Sequence, residues 1–360
     1  MTGEGVGLDP TVAALAEPPL PPIDADDLTP VVLAALLRRV MERSVQLDLS
    51  RWFWGEGVVL DALIEASESL AEPVPNAVIE YFEGRDLDAI VIDHVNAVAP
   101  GAAAARLGRR NVGTRLLAWL RSSGATSLSP NGAVEHWPGG VWADTAYMLG
   151  TFLVRHGALT GDHALVEQAA EQWLRHAEVL QHPETGLMAH GSHRGEVPPC
   201  YWGRANAWLA LAGCLVLEHR PSAPRACALR ERLERQLAGV REFLPARGLW
   251  SVLIDGHPET RGIVETSGAA GLIAALFRAA ALGVDSDANR ACARDALCRL
   301  VPYIDDGGTL TATSAGTVLQ LIPFGYSVIR NDRVQPWGQG LCLHALAAAF
   351  RDATHSVSPA

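Results

Sequence analysis

Two kinds of helical segment alternate along this chain, and that alternation constrains its fold more than any other feature. Residues 141–154 and 204–217 are apolar nearly all the way round, whereas 163–180 and 226–241 carry an apolar stripe on one face only. A helix that is apolar all round must be surrounded by protein, and an amphipathic one sits at the boundary with water. Helices strung together in this order predict an inner ring wrapped by an outer ring. Eleven or twelve helices are expected, centred near residues 38, 62, 97, 115, 148, 170, 210, 234, 272, 294 and 343, at helix-plus-loop spacing.

Local signals support this reading. Thr29 is suited to cap a helix and Pro30 to open it, with Val32, Leu36, Leu37 and Val40 forming the apolar stripe. Asp162 precedes a second stripe, Leu165, Ala169, Trp173, Ala177 and Leu180. Strand-like runs are few, Leu249–Ile254 being the best, and no GxGxxG or Walker motif is present. The expectation is a single all-α domain over residues 29–353. A mobile arm (1–28) containing the run Pro18-Pro19-Leu20-Pro21-Pro22 precedes it, and a short tail (354–360) follows.

Composition removes several classes of function. The formal net charge is −11, and all 29 basic residues are arginines with no dense run among them, which argues against a nucleic-acid partner. No apolar run reaches the length of a membrane span, and residues 1–10 lack the features of a signal peptide. The six cysteines, Cys200, Cys214, Cys227, Cys292, Cys298 and Cys342, show no CxxC or zinc-ligand spacing. They read as buried reduced thiols and point to a cytoplasmic protein. No cofactor or metal is expected: His190 and His193 form a short loop-borne pair without further ligands. The chain is expected to act as a monomer or homodimer on a small ligand.

The chemistry-bearing residues fall in a few stretches. Asp144 is the one acid in Val141-Trp142-Ala143-Asp144-Thr145-Ala146-Tyr147-Met148, an otherwise apolar run. Burial is expected to raise its pKa and keep it protonated, as a general acid requires. Asp93 is placed on a helix with Asn96 and Ala97 on the same face, where Asn96 could orient the carboxylate. Met148 lies one turn beyond Asp144, and His136 and His190 are loop histidines. Arg204 and Trp208 are four residues apart in Trp202-Gly203-Arg204-Ala205-Asn206-Ala207-Trp208, a pairing able to grip a carboxylate and stack on a sugar ring. Trp54, within Trp52-Phe53-Trp54-Gly55-Glu56-Gly57, adds an aromatic surface, and ten tryptophans among only 6% aromatics suit carbohydrate. Each of these residues has a structural alternative: a satisfied buried acid, a surface histidine, or a packed Arg–Trp pair.

Taken in order, these motifs resemble the unsaturated uronyl hydrolases of glycoside hydrolase families 105 and 88. The resemblance runs from about residue 50 to 350 and includes Thr185-Gly186-Leu187-Met188-Ala189-His190, Val264-Glu265-Thr266-Ser267-Gly268 and Trp337-Gly338-Gln339-Gly340. It implies an (α/α)6 six-hairpin barrel. It places the acid/base aspartate on Asp144, a second aspartate on Asp93, and pocket positions on Trp54, His136, Met148, His190, Arg204 and Trp208. The WGRxNxW form is closer to family 105 than to family 88. Ala205 and Ala207 stand where glycines are common in the family, and the loop from His136 to Asp144 is short.

The implied substrate is an oligosaccharide left by a polysaccharide lyase, ending in a 4,5-unsaturated uronic acid. The reaction is hydration of that enol ether, with unsaturated galacturonyl-rhamnose as the expected unit. The alternatives are an unsaturated glucuronyl hydrolase acting on glycosaminoglycan fragments, a barrel-fold sugar epimerase, and a barrel that binds carbohydrate without catalysis.

Overall fold

A computed structural model describes residues 18–355. Twelve helices form the body: α1 (Pro30–Ser44), α2 (Trp54–Leu70), α3 (Asn76–Phe82), α4 (Pro100–Arg106), α5 (Arg110–Leu120), α6 (Ala143–Thr160), α7 (His163–Leu180), α8 (Gly203–Glu218), α9 (Ala223–Glu242), α10 (Thr266–Ala281), α11 (Ser286–Leu300) and α12 (Pro336–His355). The even-numbered helices pack side by side in the cycle α2–α4–α6–α8–α10–α12, and α12 returns onto α2 to close the ring. The odd-numbered helices pack outside them, α7 against α6 and α8, α11 against α10, and α1 against α12 and α2. This is the (α/α)6 barrel, and the periodicity that predicts it is visible in burial: every residue of α8 from Gly203 to Leu217 is buried, while α9 buries only one stripe.

Because each outer helix returns the chain, all six inner helices point the same way. Their N-termini therefore gather at one end of the barrel, carrying Trp54, Asp144, Arg204, Ser267 and Trp337 with them. Close approach between inner helices depends on residues without side-chain bulk. A Cβ on Gly57 of α2 would stand 2.6 Å from the Pro100 backbone nitrogen, and one on Gly101 would stand 2.5 Å from Leu116 and Phe152 carbons.

The opposite end is held by charge. The Glu65 carboxylate accepts hydrogen bonds from Arg278, His344 and Arg351, and Asp61 pairs with Arg106 at 3.2 Å. Burial works to raise the Glu65 pKa, yet these cations hold it well below the usual carboxylate range.

Three expectations change. The helix expected near residue 97 is a single 3₁₀ turn, Val95–Val98, capped by His94, and the α-helix begins only at Pro100. Proline suits a first helical position because it has no N–H to pair, so it starts this helix and does not lie inside it. Helix α3 was not expected. It is short, and its capping residue Pro75 makes no side-chain hydrogen bond. Residues 18–28 are not a loose arm throughout, since the Ile23 N–H bonds the Cys298 carbonyl at 3.1 Å and Asp24 caps a 3₁₀ turn at Ala25–Asp27. The rest of the expected arm, residues 1–17, and most of the expected tail, 356–360, lie outside the described residues, while Thr354 and His355 continue α12. Leu249–Ile254 makes only isolated bridges, Ser251 with Val264 and Leu253 with Trp202.

Candidate active site

Asp144 sits in the first turn of α6, where the unpaired N–H groups favour a negative charge. Its residue is 7% exposed. His190 Nε2 stands 3.3 Å from Asp144 Oδ2, and neither atom makes a hydrogen bond. The two segments are fixed together by the Ala143 N–H donating to the His190 carbonyl at 3.0 Å and by the Trp142–Gly191 bridge. A side chain on Gly191 would collide with the Trp142 indole at 2.5 Å, so glycine is required for this approach.

The expectation that burial keeps Asp144 protonated is overturned. Burial does push its pKa up, but His190, His136 and Arg204 outweigh it and hold the carboxyl below its usual value. His136 is itself pushed down to about 3 by burial and is neutral near pH 7, so His190 and Arg204 carry most of that effect.

Close to this pair, though lined by neither of its residues, lies a cleft of about 290 Å³ bounded by Trp52, Phe53, Trp54, Asp93, His94, Asn96, His136 and Trp137. His136 stacks on Trp142, with ring centres 4.1 Å apart, and its Nδ1 shares a hydrogen with Thr145 Oγ1 at 3.0 Å. Trp142 in turn lies beside the His190 ring at 5.3 Å. The cleft is thus joined to the buried Asp144–His190 pair through His136 and Trp142. Asp93 is exposed on an extended segment at the rim, not on a helix. The Asn96 backbone N–H bonds His94 Nδ1 and its side-chain oxygen is unpartnered, and no hydrogen bond joins its amide to the Asp93 carboxylate, so Asn96 does not orient Asp93 as expected. His94 is the residue on which Asp93 and Asp144 both act electrostatically.

The remaining site residues are more deeply placed than their motif implies. Trp54 is half-buried and packs on Trp337 at 4.6 Å. Trp208 is fully buried beneath it, between Trp54 and Tyr147, and Met148 is equally buried. Arg204 is buried and its guanidinium is engaged: Nη1 donates to Ser267 Oγ, Ser314 Oγ and the Ser314 carbonyl at 2.9–3.1 Å, and Nη2 to the Ala315 carbonyl at 2.9 Å. Glu265, which caps α10, pairs with it at 3.5 Å, and Trp202 stacks under it at 4.3 Å.

Three residues of the site were missed from sequence. Trp137, adjacent to His136, is 53% exposed and presents an aromatic face at the cleft. His94 lines the same cleft with its Nε2 unpartnered. Both are chain neighbours of expected site residues, Trp137 of His136 and His94 of Asp93, so their signal was present but unread. Tyr326, whose hydroxyl lies 2.7 Å from His190 Nδ1, gave no local signal.

Among the described residues, no three His, Cys, Asp or Glu side chains gather as a metal site, and His193 is exposed. The cysteines are all free, with Cys227 exposed and Cys292 half-buried instead of interior. No helix among the described residues is long and apolar enough to cross a membrane.

Comparison with known proteins agrees with this fold. The chain is 26% identical over 337 residues to the unsaturated rhamnogalacturonyl hydrolase YesR of Bacillus subtilis, covering 89% of this chain and 95% of that one. A possible family-105 glycoside hydrolase from Salmonella enterica superimposes with a TM-score of 0.79 at 24% identity, over 93% of this chain and 97% of that one. The unsaturated glucuronyl hydrolase of Bacillus sp. GL1, responsible for glycosaminoglycan degradation, superimposes at 0.64 with 16% identity, over 88% and 95% of the two chains. The family model for Glycosyl Hydrolase Family 88 matches residues 37–352, and the chain belongs to that family.

Proposed function

We propose that this enzyme removes a terminal 4,5-unsaturated uronic acid from lyase-generated oligosaccharides, with unsaturated galacturonyl-rhamnose as its substrate. The observation that carries the reading is the buried Asp144–His190 pair behind an aromatic cleft, in a chain related to YesR along nearly its whole length.

Asp144 is the acid and base. In the free enzyme its carboxyl is held ionised. The uronate carboxylate brings a like charge into the same water-poor site, raising the Asp144 pKa so that one proton is taken up on binding. Asp144 gives that proton to C4, and positive charge develops at C5 and the ring oxygen. Water adds at C5 and returns its proton to Asp144, so the carboxyl ends as it began. The hemiketal opens to a ketone at C5, and the hemiacetal left at C1 collapses to an aldehyde and releases the aglycone hydroxyl. No pair of carboxylates spanning the anomeric carbon is needed. Asp93 positions substrate hydroxyls and water at the rim, and Trp54 and Trp137 offer apolar faces to the sugar rings. His136 lines the subsite as a neutral ring. Arg204 contributes its positive charge from behind, through its neighbours. The free thiols fit a reducing compartment, and we place the enzyme in the cytoplasm.

The second reading, an unsaturated glucuronyl hydrolase, is favoured by the family-88 match and the likeness to the Bacillus sp. GL1 fold. The conjugated enol-ether carboxylate absorbs ultraviolet light, and hydration destroys it. Loss of absorbance with unsaturated galacturonyl-rhamnose establishes the first reading. Loss only with unsaturated glucuronyl disaccharides selects the second. No loss with either overturns both.

A further inference from the structure

One long loop reaches the catalytic pair from far along the chain. Residues 315–330 leave and re-enter the barrel at one point, where the Ala315 N–H donates to the Arg330 carbonyl at 2.9 Å. Arg204 grips the base of the loop through Ser314 and Ala315, Glu265 accepts the Ser314 N–H at 3.1 Å, and the Trp337 indole donates to the Ser314 carbonyl at 3.1 Å. The outer face of the loop exposes Val318, Leu321, Ile322 and Val328, while a single helical turn at Phe324–Ser327 sends Tyr326 inward. Tyr326 is 1% exposed.

The hydrogens around Tyr326 are constrained. The Gln320 backbone N–H, which can only donate, points at Tyr326 Oη at 3.3 Å. His190 Nδ1 is 2.7 Å from the same oxygen, and among the described residues no other group bonds it through a side chain or turn. Were Nδ1 also to donate, the phenol hydrogen would be buried without an acceptor. His190 Nε2 would then turn a lone pair toward an Asp144 carboxylate oxygen that has no hydrogen bond of its own. Both costs vanish if the phenol donates to Nδ1 and the imidazole carries its hydrogen on Nε2.

We infer that Tyr326 is a positioning residue: it donates to His190 Nδ1 and so fixes His190 as the Nε2–H tautomer facing Asp144. The loop is then part of the catalytic machinery, and Arg204 serves the site by anchoring it. Burial among aromatic rings holds the phenol in its neutral, donating form, since its pKa is raised far above the ordinary value. The effect on turnover rests on the function proposed above, but the tautomer does not.

The test is ¹⁵N NMR of histidine-labelled full-length protein without substrate, with His190 assigned through His190→Gln. The expected wild-type result is an unprotonated Nδ1 and a protonated Nε2, and in Tyr326→Phe a mixture of both tautomers. A protonated Nδ1 in the wild type, or an unchanged pattern in Tyr326→Phe, would overturn the inference. Should Tyr326→Phe fail to fold, 3-fluorotyrosine keeps the ring and makes a stronger donor. The His190 Nδ1 signal should then move, and a fixed signal would overturn the inference equally. In turnover, Tyr326→Phe should lower kcat by at least about tenfold with KM nearly unchanged, whereas simple loss of folded enzyme leaves the kcat of the remaining fraction intact. Wild-type protein with the expected tautomer but no action on any unsaturated disaccharide would count against the proposed reaction, not against this relay.

Discussion

His190 Nε2 lies 3.3 Å from Asp144 Oδ2, with neither atom hydrogen-bonded elsewhere. A buried carboxylate oxygen facing an imidazole nitrogen is costly unless that nitrogen carries the hydrogen, as the Tyr326 contact arranges, and we propose this pair as the chemical centre of the site. Asp144→Asn keeps the shape and removes the titration. Its turnover should fall by about a thousandfold, with stability unchanged to within about 1 kcal/mol. Loss of enol-ether absorbance at the wild-type rate would remove Asp144 from the mechanism.

Arg204 was expected to hold the substrate carboxylate, but its Nη1 and Nη2 donate to Ser267, Ser314 and Ala315, its buried Nε has no partner, and its charge faces Glu265. Arg204→Met leaves Glu265 buried without its counter-charge and frees the base of the 315–330 loop. Thermal and urea unfolding should show a loss of about 3 kcal/mol or more. A variant of normal stability whose only defect is a raised KM would restore the substrate-gripping role.

The two tryptophans Trp137 and Trp208 should separate binding from folding. Trp137 is half-exposed at the cleft, so Trp137→Ala should raise KM by about tenfold, or about 1.4 kcal/mol, with little change in stability. Trp208 is fully buried, so Trp208→Ala should cost about 3–5 kcal/mol in unfolding measurements. A reversal of the two outcomes would place the sugar-stacking surface on α8.

Stability should fall between pH 6.5 and 4.5. Burial pushes His136 to about 3 and His176 to about 4, and it lowers His94, His156 and His219 as well. Below the ordinary histidine value the unfolded chain binds protons that the folded one refuses. The contribution is therefore complete above about pH 6.5 and is lost as pH drops toward the folded values, at about 3 kcal/mol by pH 4.5 for each of His136 and His176. Glu65 and Asp144, whose pKa values are depressed, act mainly at and below the ordinary carboxylate range, while Glu56 and Asp255, raised by burial, oppose the histidines in the lower part of the window. Urea midpoints that stay flat across it would show that these rings are not held neutral.

The sequence by itself determined what depends on near neighbours. The apolar circumference of α6 and α8, the stripe of α7, and the Thr29–Pro30 start of α1 are set by residues within a few turns of one another, and they were enough to place the inner and outer rings. The burial of Asp144 followed from the same pattern. Its ionisation did not, because that depends on His190 and Arg204, which the closing of the ring brings beside it. The helix expected near residue 97 starts only at Pro100, since the 3₁₀ turn before it is held by a His94 side-chain contact that periodicity does not register. Arg204 looked free in its motif, and its acceptors at Ser314 and Ala315 lie 110 and 111 residues away. Tyr326 is 136 residues from His190 in a segment with no helical pattern. Only the tertiary structure decided these pairings, because hydrogen bonds and buried charges act over a few ångströms of space, whatever the distance along the chain.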